Sequence, residues 1–400
     1  MTKQKAYIPK KTLEDLEYHE VLSQVAVFAI TELGAQACLA TQPLPDSPEL
    51  HQQLQAVFEF HASFENDNRI PNHGFEDLST SIKMLQIENS VLEIQAFRAI
   101  GASSETVNTL LNFFKKFKAY YPTLFDWGKE MAVNKEIKKE VDHVIDRFGE
   151  VRNNASEDLS RIRKQIHQLK GRIGQSFNKA LSHYTQQDYL DDIRESVLDN
   201  KRVLAVKAMY RRKVKGTIMG SSKTGSIVFM EPETTAQLTR ELQNLLYEET
   251  EEIKKILSQL TNYLRPHTDL IRQYQNYLLQ LDVVYAKACY AQDINGILPK
   301  ITDTQEIEYG QAYHPLLWKT HQTEKKKTYP QDIQLHPGKR IVVISGPNAG
   351  GKSITLKTVG LLQLMLQSGL LIPVHERSRA TLFNTILTDI GDNQSIENHL

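Results

Sequence analysis

Arg340-Ile-Val-Val-Ile-Ser-Gly-Pro-Asn-Ala-Gly-Gly-Lys-Ser353 decides how this chain is read. Gly346, Gly351, Lys352 and Ser353 satisfy the G-x-x-x-x-G-K-[ST] spacing of a phosphate-cradling loop. Glycines let backbone N–H groups turn onto phosphate oxygens, a lysine reaches the β- and γ-phosphates, and a hydroxyl can hold Mg²⁺. The flanks fit as well. The apolar run Ile341 to Ile344 predicts a strand feeding the loop, and Ile354 to Gln367 predicts a helix whose positive end faces the same anion. The expectation is a nucleoside triphosphate, ATP with Mg²⁺, held by Gly346 to Ser353.

About 50 residues follow the loop. They offer one helix and a short candidate strand, Thr381 to Thr388, but no apolar strand ending in Asp-Glu. Thr385-Ile-Leu-Thr-Asp-Ile-Gly-Asp392 is the nearest mimic. The expectation is an incomplete nucleotide domain, the front part of a longer protein.

Four hundred residues suggest two to three domains. Hydrophobic content of 40% and charged content of 24% are those of an ordinary folded chain. Lys and Arg number 48, as do Asp and Glu, so any affinity for polyanions must come from local segregation of charge. Two cysteines, Cys38 and Cys289, make neither a disulfide framework nor a zinc site. No apolar run reaches 18 residues, and the start is polar, so a cytoplasmic protein without membrane contact is expected.

Ahead of the loop the pattern is mostly helical. Residues 1–150 read as a helical core, with Leu16, Val21, Val25 and Phe28 at helical spacing and breaks at Pro43-Leu-Pro45 and Asn72-His-Gly74. Leu159, Ile162, Ile166, Leu169, Ile173, Phe177 and Leu181 form one stripe, predicting a long lever helix over 151–186. Leu238, Leu242, Leu245, Ile253, Ile256, Leu260 and Leu264 form a second, for a lever and its return over 235–298. Between them, Val203 to Val206, Val214 to Met219 and Ser226 to Met230 predict strands, so 187–234 reads as a small β-rich module. The nucleotide domain is assigned to 299–400.

That module carries the one marked charge segregation. Lys201, Arg202, Lys207, Arg211, Arg212, Lys213, Lys215 and Lys223 fall between positions 201 and 230 with no acidic residue among them. They read either as a surface contacting nucleic-acid phosphates or as solvated side chains paired with the acidic stretch Glu248 to Glu252. No aromatic-rich platform is evident beside them, which favours backbone contacts over base stacking.

These residues carry a family resemblance. Gly346-Pro-Asn-Ala-Gly-Gly-Lys-Ser353 is similar to the nucleotide loop of MutS proteins, where Pro-Asn follows the first glycine. Ala312-Tyr-His-Pro-Leu-Leu317 resembles that family's Arg-His-Pro segment, with Tyr313 in place of the arginine. Ile193 to Lys207, Gly225-Ser-Ile-Val-Phe-Met-Glu-Pro232, Thr31-Glu-Leu-Gly34 and Asp392-Asn-Gln-Ser395 resemble the second MutS family, MutS-II. The resemblance implies a mixed fold: a mainly α-helical core and lever with a β-rich clamp module, then an incomplete α/β P-loop domain of ABC type. It implies ATPase activity completed in trans by a homodimer, and no mismatch-reading domain. The loop residues Gly346, Pro347, Asn348, Ala349, Gly350, Gly351, Lys352 and Ser353 would contact nucleotide, with Ser353 on the metal; Tyr329, one position from where the family sets its aromatic or apolar residue, reads equally as packing or as the residue against adenine. It further implies a nucleic-acid partner: branched or duplex DNA in suppression of recombination, or the rRNA of collided ribosomes. An endonuclease domain beyond residue 400 would also accompany such a chain.

Other residues have plainer readings. His314 precedes Pro315 and reads as fixing a turn; Glu231-Pro232 reads as closing the β-rich module. His143, His167 and His183 are too widely spaced for a metal set. Three rival functions stay open: a mismatch-repair MutS, which requires a base-reading wedge; a ribosome-splitting factor; and an SMC-like or transporter ATPase, whose long helices would follow the loop rather than precede it.

Overall fold

A computed structural model describes residues 7–345 and 351–390. The described helices are α1 (Lys10–Asp15), α2 (Tyr18–Ala26), α3 (Glu32–Leu39), α4 (Pro48–Ala62), α5 (Ser79–Leu85), α6 (Ile94–Lys116) and α7 (Pro122–Gly128). They continue with α8 (Glu136–Val144), α9 (Glu157–Gln186), α10 (Glu233–Leu264), α11 (Thr268–Ile294), α12 (Pro315–Glu324) and α13 (Lys352–Gln367). The strands are β1 (Leu190–Leu198), β2 (Lys201–Lys207), β3 (Gly216–Ser221), β4 (Ile227–Pro232), β5 (Lys300–Ile301), β6 (Ile307–Ala312), β7 (Gln331–Leu335) and β8 (Arg379–Ala380). None of these helices is long and apolar enough to cross a membrane. The fold is mixed, mainly helical with two small sheets, and the chain divides into two compact units.

The first unit takes in the described parts of Met1–Ile82, Ala99–Lys138 and Thr268–Leu400. Its first core joins Tyr18, Val21 and Val25 of α2, Leu50 and Leu54 of α4, Tyr290 and Ile294 of α11, and Leu361, Leu362 and Leu364 to Leu366 of α13. From Leu361 to Gln367 α13 is buried on all sides and mostly apolar, as expected of a helix enclosed by its neighbours. Its two buried glutamines are saturated with hydrogen bonds. Gln363 accepts from Tyr309 Oη at 2.9 Å and donates to Thr381 O and Gln367 Oε1, both at 2.9 Å. Gln367 donates to Leu44 O and Phe383 O at 2.9 and 2.8 Å and accepts from Phe383 N at 2.9 Å. Gly360 allows Leu16 to lie against α13, since any side chain there would meet the leucine. A second core packs Phe60 of α4, Leu110 and Phe114 of α6, Tyr121 and Leu124 beside and within α7, and Leu278 and Leu281 of α11. Glu59 is buried there because it accepts from Thr123 N at 3.0 Å and Leu124 N at 3.1 Å, filling two vacant donors at the start of α7.

The sheet of this unit runs β5-β8-β6-β7; β5 and β8 are parallel and the other pairs antiparallel. Two expected strands differ. Ile341 to Ile344 is not a strand: Ile341 and Val343 are 80% and 85% exposed, and among the described residues no neighbouring strand pairs with it. An apolar run becomes a strand only where another backbone meets its hydrogen-bonding groups. The strand expected over Thr381 to Thr388 appears instead as β8, at 379–380, because the backbone of 381–383 is engaged by Glu306 and the α13 glutamines. Only Thr385 of the expected span makes a bridge, to Tyr7.

The second unit comprises Lys83–Arg98 and Lys139–His267. Its frame is an antiparallel pair, α9 and α10, each about 45 Å long at 1.5 Å per residue. Ser156 begins α9 by accepting from Leu159 N at 3.0 Å. Cross-links run along the pair: Ser156 Oγ donates to Glu252 at 2.8 Å, Arg163 Nε to Glu249 at 2.7 Å, and Ser176 Oγ to Thr234 O at 3.2 Å. Between the two helices lies an antiparallel sheet in the order β1-β2-β4-β3. Val203 to Val206 of β2 are all buried, Leu204 and Val206 in one core with Phe177 of α9, which explains an unbroken apolar run in a central strand. The strand β1 has no apolar alternation. It is a charged edge strand, Leu-Asp-Asp-Ile-Arg-Glu-Ser-Val-Leu, with a bulge between Leu190 and Glu195 and Arg194 at φ 58°.

Candidate functional site

The phosphate-binding expectation rests on the start of α13. Gly346, Pro347, Asn348, Ala349 and Gly350 lie outside the described residues. Gly351 precedes the helix with φ 77° and ψ 13°, a left-handed conformation that glycine adopts without strain. Among the described residues nothing lies within 4 Å of where a side chain on Gly351 would point. No side chain caps the helix, and no acidic residue stands in its first turn. The helix thus supplies neither a cap side chain nor an acidic residue of its own at its first turn, a setting that favours an external anion. Lys352 and Ser353 are the first two residues of the helix and are partly buried.

Behind this end, Lys357 is buried and pairs with Glu17 at 3.4 Å. His314 is buried beside it. Burial, and then the Lys357 charge, push the imidazole down to about 3, and among the described residues neither ring nitrogen has a hydrogen-bond partner. His314 stands before α12, and its carbonyl accepts from Trp318 N at 2.8 Å. A cavity of about 1050 Å³ lies alongside α13, walled by Thr355, Gly360, Tyr309, Val342 and Asp389, the carboxylate of the Asp-Glu mimic. Tyr329 is 72% exposed with Lys327 Nζ 5.0 Å from its ring centre; it is not among the residues lining that cavity.

In the second unit the eight basic residues separate into two groups. Lys201 pairs with Glu231 at 3.1 Å, Arg202 with Glu195 at 2.5 Å, and Lys207 with Asp188 at 2.8 Å. Arg202 also lies 4.3 Å over the Phe177 ring. Their carboxylate partners flank the basic stretch in sequence and reach it only once the sheet has formed. The other five, Arg211, Arg212, Lys213, Lys215 and Lys223, are exposed. Four of them sit on one turn, and the buried Val214 fixes that turn to the sheet.

Sequence reasoning missed what lies beside that turn. Tyr189 and Tyr210 stack at 4.8 Å and 28°, and Tyr184 and Tyr189 at 6.4 Å and 28°. Lys213 Nζ is 5.6 and 5.7 Å from the Tyr189 and Tyr210 rings. The three tyrosines come from the end of α9, a loop and the turn after β2, so no linear spacing announces them. The turn that carries Arg211, Arg212, Lys213 and Lys215 thus adjoins partly buried aromatic rings, through Lys213 over Tyr189 and Tyr210 and Lys215 N donating to Tyr184 Oη at 3.1 Å, an arrangement suited to phosphate backbone with aromatic surface at hand.

No protein-family model matches the chain. Curated relatives do. The chain is similar to Endonuclease MutS2 of Bacillus velezensis, 32% identical over 394 residues, spanning 98% of this chain and 49% of that protein. It is similar to Endonuclease MutS2 of Pediococcus pentosaceus, at 31% over 394 residues, with 98% and 49% covered. To the Putative endonuclease MutS2 of Bacillus subtilis it is 32% identical over 394 residues, again 98% and 49%. The chain thus spans about half the length of the curated relatives it matches.

Proposed function

We propose, from the premise that the chain belongs to the MutS2 family, that it is an ATP-dependent clamp on nucleic acid. The observation that carries this is a glycine in left-handed conformation starting α13 with Lys352 and Ser353, no side-chain cap and no first-turn carboxylate. Those residues fit ATP·Mg²⁺, and bound ATP would supply a hydrolysable phosphoanhydride. Gly346 to Gly351 would wrap the phosphates with backbone N–H groups, Lys352 would offset their charge, and the Ser353 hydroxyl would face the metal. Tyr329, exposed, is assigned to the base.

The clamp surface is assigned first to Arg211, Arg212, Lys213, Lys215 and Lys223. Lys201, Arg202 and Lys207 support it through their ion pairs. A second copy would complete each nucleotide site, so that nucleotide state sets how two basic arms close on phosphate backbone. The target is branched DNA, with the rRNA of collided ribosomes as the second candidate. Endonuclease activity, present in the names of the relatives, is assigned to no residue here.

The deciding experiment compares affinity for a four-way DNA junction, linear duplex and collided ribosomes with and without a non-hydrolysable ATP analogue. A change of about 10-fold or more on one target supports the coupling and selects that target. Identical affinities in both states on all three would remove it.

A further inference from the structure

Lys287 on α11 is 4% exposed, and its ammonium makes one hydrogen bond, to Ser368 O at 2.6 Å. Among the described residues no carboxylate pairs with it. Burial pushes its amine down to about 8, which still leaves it mainly protonated at neutral pH, and the nearby Cys38 thiol is pushed up to about 11 and stays neutral. A buried cation with one acceptor and no counter-charge is an expensive arrangement. Lys287 also forms part of the wall of a cavity of about 650 Å³ within the first unit. Its other walls include Trp127, Leu279 and Val283, with the Gln53 amide and, at the exposed side, Glu49.

We propose that this cavity binds a small organic monocarboxylate, its head on Lys287 and its apolar body against Trp127, Leu279 and Val283. The carboxylate would provide both the missing charge and acceptors for the remaining N–H groups. A single ammonium with Glu49 on the same wall matches one negative charge and disfavours a phosphate dianion. The volume falls in the range of small-molecule sites. This is not the proposed nucleotide site: Lys287 meets Ser368, past the last residue of α13, about 24 Å along the helix from Lys352.

The chain has two tryptophans, Trp127 and Trp318, so a Trp318→Phe background reports Trp127 alone. Its fluorescence is titrated with cyclohexanecarboxylate, uncharged cyclohexylmethanol and cyclohexyl phosphate. The proposal expects a saturable change with the carboxylate, binding of the alcohol and the phosphate weaker by roughly 10- to 100-fold, and loss of carboxylate binding in Lys287→Met. It is overturned by no saturable change with the carboxylate, by equal binding of the alcohol, by tighter binding of the phosphate, or by undiminished binding in Lys287→Met. Should Lys287→Met fail to fold, the three-ligand comparison on the Trp318→Phe background decides the matter.

Discussion

The Asp282 carboxylate occupies the space that a side chain at Gly34 would need. It is there because it accepts from Ile30 N at 2.8 Å, Thr31 N at 3.0 Å and Thr31 Oγ1 at 2.5 Å, while Thr31 Oγ1 in turn accepts from Gly34 N at 3.0 Å. His73 Nε2 stands 3.8 Å away. Burial raises the Asp282 pKa, but the nearby His73 ring and the hydrogen bonds from Thr31 and Ile30 outweigh that and hold it below the usual carboxylate value. Thr31 thus caps α3 while Asp282, from α11, holds Thr31 in place, and the Thr-Glu-Leu-Gly stretch is a packing signature.

Gly34→Ala should therefore destabilise the first unit by about 2–4 kcal/mol, through forced separation of a buried, hydrogen-bonded charge. Asp282→Asn, which retains the volume but loses the charge, should cost less. Urea unfolding of the two variants checks the order; an undisturbed Gly34→Ala would mean the carboxylate can move aside freely.

Lys352→Ala should reduce ATP affinity by about 100-fold or more, since a charged hydrogen-bonding group to phosphate is removed. The helical circular dichroism should not change, because Lys352 lies at the end of α13 and the core contacts come from Leu361 onward. Calorimetry gives the affinity; wild-type nucleotide binding in the variant would move the phosphates elsewhere.

Neutralising Arg211, Arg212 and Lys213 together should weaken duplex binding irrespective of sequence and flatten the salt dependence, by roughly 0.9 log units per lost phosphate contact. Neutralising Lys201, Arg202 and Lys207 should instead lower the melting temperature of the β-rich module, since each has a carboxylate partner. Filter binding across a salt series, beside thermal melts, separates the trios. Equal salt slopes for both would show that exposure does not choose the contacting residues.

His314 gives a pH signature. Its folded value of about 3 lies below the ordinary value of 6.5, so the unfolded chain takes up a proton that the folded chain refuses. Stability from this group is complete above pH 6.5 and falls as pH drops toward 3. Between pH 6.5 and 4.5 the wild type should lose about 2–3 kcal/mol more than His314→Leu. Denaturation curves at the two pH values measure this; parallel losses would show that the imidazole protonates in place.

Much of this was legible in the chain. The two long stripes are α9 and α10, since one apolar face per helix leaves a 3.6-residue period, and the helix after the phosphate loop appeared where its apolar run lies. All three strands expected in the β-rich module appear, as β2, β3 and β4, each within about two or three residues of its expected ends, but the fourth, β1, was missed: its partner satisfies its backbone while its side chains stay charged. The Ile341 to Ile344 expectation failed for the converse reason, apolar side chains without a pairing backbone. In the β-rich module, composition found eight cations but could not sort them, because Asp188, Glu195 and Glu231 come alongside only once the sheet has formed. The tyrosine stack was equally invisible.

The two glutamines of α13 carry a mechanical consequence. Sliding this helix along its axis by even one residue would sever five hydrogen bonds reaching β6, residue 44 and residues 381–383, while the bond between the glutamines travels with the helix. Whatever force arises at Lys352 is thus delivered to a bolted block: the helix transmits displacement without taking any up, and the compliance must reside outside it.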